Sequence, residues 1–132
     1  MTEATARYKK ILAVDDEVHM LRLIEYNLAR EGYTVLTASN GKEAIEIAHL
    51  ERPDLILLDI RMPYMNGYEV FARLKEHPKT TCIPVIFISI LSDEEETIRL
   101  GAQRIQKPFI PSVLIEKIRS VLVELNVSEK GL

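Results

Sequence analysis

Short β-rich runs alternate with segments of helical spacing along the whole chain, and this alternation constrains the fold more than any other feature. The strand-like runs are residues 11–14, 33–37, 55–58, 85–88 and 103–106. Strands that are apolar on both faces are typical of a parallel sheet covered by helices and joined by right-handed crossovers. The sequence therefore predicts a doubly wound α/β fold, with a five-stranded parallel sheet of order 2-1-3-4-5 and helices on both faces.

The segments between the runs carry the signals of helices. Two apolar stripes at helical spacing are Val18, Leu21, Ile24 and Leu28 on the first helix and Leu114, Ile118, Val121 and Leu125 on the last, at about 110–125. Asn40 and Glu43 are spaced as a capping box at the start of the second helix. The acidic run 93–96 suits the first turn of the fourth helix, where we expect a solvated face.

Composition predicts one domain, residues 1–132, with a core at about 9–126. Of the 132 residues, 47% are hydrophobic and 28% charged, and the net charge of −3 favours neither nucleic acid nor a membrane surface as a partner. The single cysteine, Cys82, excludes an internal disulfide framework and favours a reducing compartment. No run reaches the roughly 18 apolar residues of a membrane span, and the start lacks a signal-peptide core. We expect a cytoplasmic protein.

Charged and polar residues close several of the predicted strands. Asp15 and Asp16 follow the first strand, Asp59 ends the third, Ser89 the fourth, and Lys107 follows the fifth. Ligands of such sheets bind outside the carboxyl ends of the strands, at the point where the strand order reverses. That point lies between strands one and three, so the three aspartates are predicted to lie side by side.

Three neighbouring carboxylates repel one another, and a hard divalent cation relieves the repulsion. Mg²⁺ prefers oxygen ligands and is usually shared between one or two carboxylates and phosphate oxygens. The cluster therefore predicts a phosphoryl-transfer site, with Lys107 and Ser89 binding phosphoryl oxygens. Asp59 stands singly on the central strand and is the best-placed nucleophile, which would yield an acyl phosphate.

These residues resemble the receiver domain of bacterial two-component response regulators, a family with a flavodoxin-like fold. The resemblance covers nearly the whole chain and is carried by residues 11–17 (ILAVDDE), 57–63 (LLDIRMP), Asn66-Gly67, Ser89 and 107–109 (KPF). It implies a phosphoprotein in which Asp59 accepts a phosphoryl group from a sensor histidine kinase or a histidine phosphotransfer protein. The phosphoryl group would then switch contacts with a downstream protein target.

The resemblance also implies roles for individual residues. Mg²⁺, or Mn²⁺, would be held by Asp15 through water, by Asp16 and Asp59, and by the backbone carbonyl of Arg61. Ser89 and Lys107 would bind the phosphoryl group, and the bond from Lys107 to the next proline would be cis. Such a domain is not an enzyme with a separate substrate, although it assists its own phosphotransfer and dephosphorylation. Two copies would pair through helix four, strand five and helix five.

The chain departs from the family pattern after the fourth strand. The segment between Ser89 and Lys107 is several residues shorter than usual, which predicts a shortened fourth helix. Ile90 stands where receivers carry a small residue and is expected to hinder a phosphodonor or water. The usual aromatic residue of strand five is missing. Arg104 replaces it at the surface, or the coupling from Ser89 outward runs differently, or Arg104 is an exposed arginine without a signalling role. Arg61 and Leu91 occupy positions that tune phosphoryl lifetime in the family.

Three rival functions use the same residues. A flavin binder of this topology needs a glycine- and hydroxyl-rich loop after the first strand, where this chain has Asp15-Asp16-Glu17. An aspartyl phosphatase of the dehalogenase-like type needs a second acid two residues after the nucleophile, where this chain has Arg61. The remaining alternative is a docking module with the receiver fold that works without phosphorylation. It ranks second, because the acids, Ser89 and Lys107 are all present.

Overall fold

The computed structural model of the protein describes residues 9–129, except for the side chains of residues 91 and 124–129. Strands and helices alternate as predicted. In chain order they are β1 (Lys10–Val14), α1 (Val18–Arg30), β2 (Thr34–Ala38), α2 (Gly41–Glu51), β3 (Leu55–Asp59), α3 (Gly67–Glu76), β4 (Val85–Ser89), a 3₁₀ turn (Leu91–Asp93), α4 (Glu94–Arg99), β5 (Gln103–Gln106) and α5 (Pro111–Glu129).

The five strands form one parallel sheet of order β2-β1-β3-β4-β5, which confirms the predicted topology. Successive residues of each strand point to opposite faces, so the sheet builds two apolar cores. On β1, Ile11 and Ala13 face the core that α1 and α5 cover. Leu12 and Val14 face the core that α2 and α3 cover. The central strands are therefore buried on both faces, and their polar residues are confined to the strand ends.

Two details of the predicted elements are corrected. Strand β2 is displaced by one residue, to Thr34–Ala38. In the stripe of α1, Leu21, Ile24 and Leu28 are buried, but Val18 is 54% exposed. The reason is that three residues separate the end of β1 from the start of α1, so the first residue of α1 lies past the edge of the sheet.

A complete capping box starts α3, the helix that follows the loop after β3. The Asn66 side chain accepts from the Glu69 backbone N–H at 3.0 Å, and the Glu69 carboxylate accepts from the Asn66 N–H at 3.2 Å. The box predicted for α2 is only half formed: Asn40 accepts from the Glu43 N–H at 2.9 Å, but the Glu43 carboxylate accepts from Ser39 instead. The spacing of Asn66 and Glu69 is the same capping-box signal, although it was not used to predict the start of α3.

The fourth helix is short, as predicted, with six residues after the 3₁₀ turn. The acidic run at its start is solvated at Glu94 and Glu95. The prediction of a solvated face is wrong for Asp93, which is only 7% exposed. Its carboxylate is drawn inward because it pairs with Arg61, in the loop after β3.

Gly67 lies so close to the end of β3 that a side chain is excluded there. A Cβ atom would approach the Asp59 carbonyl oxygen to 2.5 Å and the Ile60 Cα to 2.8 Å, and both are backbone atoms that cannot move away singly. We expect Gly67→Ala to lower the free energy of unfolding by about 1–3 kcal/mol, measured in urea.

The matched control is Gly41→Ala. Its Cβ would meet side-chain atoms of Met65 and Val70, each at 2.8 Å, and the methionine side chain can shift. The expected loss is smaller than at Gly67. Equal losses at the two glycines would contradict a backbone clash next to Asp59.

Candidate functional site

The three aspartates meet at the carboxyl edge of the sheet. Val14 and Leu58 are partners in the β1–β3 ladder, so the residues that follow them, Asp15 and Asp59, are neighbours. Carboxylate oxygens of Asp15, Asp16 and Asp59 all lie within 4.8 Å of one another. Asp15 and Asp59 are buried, with 0% and 3% of their surface exposed, whereas Asp16 is exposed. The structure thus brings together the acids predicted from the strand ends.

Lys107 reaches this cluster from the other side of β3. Its ammonium nitrogen lies 3.0 Å from Asp59 Oδ1 and 3.3 Å from Asp15 Oδ2. Its backbone N–H donates to the Ser89 carbonyl at 2.7 Å, and the Lys107-Pro108 bond is cis, as the resemblance implied. The lysine is thus anchored to the end of β4 while its side chain extends across the end of β3.

The oxygens of the two buried carboxylates are not equivalent. Asp15 Oδ1 accepts from the Glu17 backbone N–H at 2.9 Å, and its Oδ2 faces Lys107. Asp59 Oδ1 is also engaged by Lys107. Among the hydrogen bonds of the described residues, none reaches Asp59 Oδ2. This oxygen is therefore the one that is free to react or to bind a cation.

Burial and mutual repulsion oppose the ionisation of the two buried carboxyl groups, Asp15 and Asp59. The pKa of Asp59 is raised from 3.8 to about 6, chiefly by burial and also by the neighbouring Asp15, and the bond from Lys107 offsets part of the rise. Burial likewise raises the pKa of Asp15. Burial alone lowers the pKa of Lys107, but the bond and charge of Asp59 outweigh this and hold the pKa above its ordinary value.

This charge balance fits a hard divalent cation. One ammonium faces two buried carboxylates and a third at the surface, so the site carries excess negative charge. All the available donors are oxygens, the ligands that Mg²⁺ and Mn²⁺ prefer. A cation bound to Asp16 and Asp59 would relieve the repulsion that raises the pKa values of Asp59 and Asp15.

Ser89 ends β4 beside this cluster and is 2% exposed. Its hydroxyl accepts a hydrogen bond from Nη1 of Arg104 at 3.1 Å. The Arg104 side chain is 17% exposed, so it is not freely exposed, and its signalling role stays a prediction. Ile90, the next residue after Ser89, is 42% exposed. Leu91 begins the 3₁₀ turn, and its side chain lies outside the described residues.

An ion pair that the sequence did not reveal joins the loops on the two sides of the site. Nη2 of Arg61 lies 2.8 Å from Asp93 Oδ1 and donates to Ser92 Oγ at 3.1 Å. Tyr68 adds a bond from its hydroxyl to the Asp93 carbonyl at 3.4 Å, and its ring packs edge-on against Phe87. No periodic pattern marks these residues. Their contact holds the shortened segment after β4 against the loop that follows Asp59.

Loss of the Arg61 side chain leaves the carboxylate of Asp93 buried without its cation. We expect Arg61→Met to lower the free energy of unfolding by about 1–2 kcal/mol, because Asp93 is 7% exposed although the guanidinium itself is largely solvated. Urea unfolding measures the change. The control is Arg99→Met, which removes a solvated pair with Glu96 and is expected to cost less than about 0.5 kcal/mol. Similar losses in both variants would contradict the argument.

Comparisons with known proteins agree with this fold. The profile of the family described as "Response regulator receiver domain" matches residues 11–119. The chain is 43% identical over 118 residues to the probable transcriptional regulator ycf27 of Cyanophora paradoxa, covering 86% of this chain and 48% of that protein. It is 38% identical to the alkaline phosphatase synthesis transcriptional regulatory protein PhoP of Bacillus subtilis, over the same shares. The chemotaxis response regulator CheY4 of Vibrio cholerae superposes with a TM-score of 0.79 at 32% identity, over 86% of this chain and 98% of that one.

The cluster of acids at the carboxyl edge of a 2-1-3-4-5 sheet, together with these matches, defines the class as a signalling domain. The chain belongs to the response regulator receiver domain family. It spans about half the length of the two curated relatives named above. No helix within residues 9–129 has the length and apolar character needed to cross a membrane.

Proposed function

We propose that the chain accepts a phosphoryl group on Asp59 and thereby switches its contacts with other proteins. The observation that carries this proposal is the asymmetry of the Asp59 carboxylate: Oδ1 is held by Lys107 at 3.0 Å, while Oδ2 accepts no hydrogen bond from the described residues. A buried carboxylate with one oxygen fixed and the other open is oriented for attack on phosphorus.

In this reaction Oδ2 of Asp59 forms a bond to phosphorus as the bond between phosphorus and the donor atom breaks. The donor atom leaves with the electron pair, and Asp59 becomes an acyl phosphate. Lys107 neutralises one phosphoryl oxygen and the Ser89 hydroxyl donates to another. Dephosphorylation is the attack of water on the same phosphorus, which releases inorganic phosphate and restores the carboxylate. The domain thus assists its own phosphotransfer and dephosphorylation, without a separate substrate.

Mg²⁺ or Mn²⁺ would be held by Asp16, Asp59 and the backbone carbonyl of Arg61, and by Asp15 through water. Both oxygens of Asp15 already have donors, which supports an indirect role for this residue. When bound, the cation supplies positive charge to the carboxylate and phosphoryl oxygens. The chain's own part is to orient the open oxygen of Asp59 and to hold the ammonium of Lys107 against the other oxygen of Asp59.

The proposed partners follow from the family. A sensor histidine kinase or a histidine phosphotransfer protein would supply the phosphoryl group in the cytoplasm, and a downstream protein would respond to it. Residues 1–132 would act as one receiver domain with a core at about 9–126, and two copies would pair through the face that β5, α4 and α5 build. Arg61, Ile90 and Leu91 would modulate the phosphoryl lifetime.

Intact mass after incubation with acetyl phosphate and Mg²⁺ tests the proposal. We expect the gain of one phosphoryl group, which is lost on removal of the metal and in Asp59→Asn, where the amide is not nucleophilic. The exposed acid Glu46 supplies the control: Glu46→Gln should gain the group like the parent protein. A gain that persists in Asp59→Asn would contradict the proposal.

One observation keeps a docking module without phosphorylation as the second candidate. Ile90, 42% exposed, directly follows Ser89, and its bulk would hinder the approach of a phosphodonor. Ile90→Ala separates the two functions. If the parent protein gains no phosphoryl group and the variant does, the site works but is occluded. If neither gains one, the docking function replaces the phosphoacceptor function.

A further inference from the structure

Arg104, which has no part in the phosphoryl transfer proposed above, contacts the phosphoryl-binding residue Ser89. Strands β4 and β5 are neighbours, and Ser89 pairs with Gln106 in their ladder, while Arg104 stands two residues earlier on β5. Residues two apart on a strand share a face. The guanidinium of Arg104 therefore extends along β5 towards the site. Nη1 donates to Ser89 Oγ at 3.1 Å and Nη2 to Gln106 Oε1 at 3.1 Å.

The guanidinium is held from more than one side. Besides Gln106, the Glu94 carboxylate of α4 lies 3.9 Å from Nη2, and the Arg104 side chain is 17% exposed. A partly buried cation with fixed partners acts on its neighbours more strongly than a solvated one. The contacts of the guanidinium therefore hold Nη1 beside Ser89, which a freely moving arginine on the surface would not do.

The chemistry of the two groups decides how the Ser89 hydroxyl is used. Arginine has five N–H donors and no acceptor, whereas a hydroxyl has one O–H donor and two lone pairs. The bond from Arg104 occupies a lone pair of Ser89 Oγ and cannot occupy its proton. Among the described residues, Ser89 Oγ donates to no other group. Its proton is thus kept for an acceptor that arrives, such as an oxygen of a phosphoryl group on Asp59.

We propose that Arg104 is a positioning residue for phosphoryl acceptance, which fixes the Ser89 hydroxyl as a donor and strengthens that donor by its charge. This inference rests on the proposed phosphoacceptor function and deepens it. Arg104 does not compete for the phosphoryl-binding hydroxyl. Its N–H donates to a lone pair of the hydroxyl oxygen, whereas the hydroxyl O–H donates to the phosphoryl oxygen. The two bonds coexist on one oxygen and polarise in the same direction.

A double-mutant cycle tests the inference through the initial rate of phosphoryl gain from acetyl phosphate with Mg²⁺. Arg104→Met keeps the length of the side chain and removes its donors, and we expect a loss of about tenfold, the size of one charged hydrogen bond. Arg104→Lys, again a donor without an acceptor, should recover most of the rate. In a Ser89→Ala background, Arg104→Met should change the rate by less than about twofold, because the group through which it acts is gone.

The matched control is Gln103→Met, an exposed change on the same strand that should leave the rate unaltered. A faster rate in Arg104→Met would overturn the inference, since it would make the arginine a competitor for Ser89. An equal loss in both backgrounds would also overturn it, because a general distortion of β5 does not depend on the hydroxyl. Absence of phosphoryl gain in both the parent protein and Ile90→Ala would instead reject the phosphoacceptor function, and this inference with it.

Discussion

Replacement of Lys107 by glutamine is expected to slow phosphoryl acceptance by about 100- to 1,000-fold. The ammonium lies 3.0 Å from Asp59 Oδ1 at the end of a buried strand. Charge that develops on the phosphoryl oxygens during transfer would be met by this fixed cation, and removal of one such donor from an enclosed site typically has an effect of this size. The measurement is the initial rate of phosphoryl gain from acetyl phosphate with Mg²⁺, normalised to the folded fraction.

Two further lysine variants serve as controls for that result. Lys107→Arg keeps the charge but not the compact geometry of an ammonium, so we expect a rate between those of the parent protein and the glutamine variant. Lys79→Gln removes an exposed lysine after α3, at a distance from the site, and should leave the rate unchanged. A Lys107→Gln rate within threefold of the parent rate would show that the lysine only supports the fold.

Asp59→Asn is expected to stabilise the metal-free domain at neutral pH by about 2–3 kcal/mol. Burial and Asp15, partly offset by Lys107, raise the pKa of Asp59 from 3.8 to about 6, which corresponds to about 3 kcal/mol opposing ionisation in the folded state. Asparagine keeps the shape of the side chain without the charge, so this opposition disappears. Urea unfolding in the presence of a chelator measures the gain.

The pH dependence of this gain has a definite sign. The folded state binds the Asp59 proton more tightly than the unfolded state, so the stability of the parent protein falls as the pH rises from about 4 to about 6. The advantage of Asp59→Asn should therefore be small near pH 4, grow through this window and level off above it.

The control for stability is the exposed Glu46, since Glu46→Gln should change the free energy of unfolding by less than about 0.5 kcal/mol at every pH. Added Mg²⁺ should stabilise the parent protein and have a much smaller effect on Asp59→Asn. If Asp59→Asn were less stable than the parent at neutral pH, the bond from Lys107 would outweigh the repulsion, contrary to this account.

The sheet and the acid cluster could be predicted because they depend on local patterns. Strands that alternate with helices and are joined by right-handed crossovers allow few strand orders. In the order 2-1-3-4-5 the strand order reverses between β1 and β3, so Asp15 and Asp59 are neighbours whatever the conformation of their side chains. The cluster thus follows from backbone topology. Its members lie at strand ends, where the direction of the chain is already determined.

The Arg61–Asp93 pair and the Arg104–Ser89 bond could not be predicted in the same way. The first joins two loops that are 32 residues apart, and its geometry depends on how the shortened segment folds back. The second depends on the direction of a long side chain along β5. In both cases a flexible side chain has several possible partners, and only the packed structure selects one of them.

The most direct test of the account is the location of the phosphoryl group. After treatment with acetyl phosphate and Mg²⁺, borohydride reduces an acyl phosphate to an alcohol, which converts the modified aspartate into homoserine. Trypsin then releases residues 43–61, a peptide that contains both Asp54 and Asp59. We predict homoserine at position 59 alone in the fragment spectra of this peptide. Homoserine at Asp54, Asp15 or Asp16, with Asp59 unchanged, would contradict the assignment of Asp59 as the phosphoacceptor.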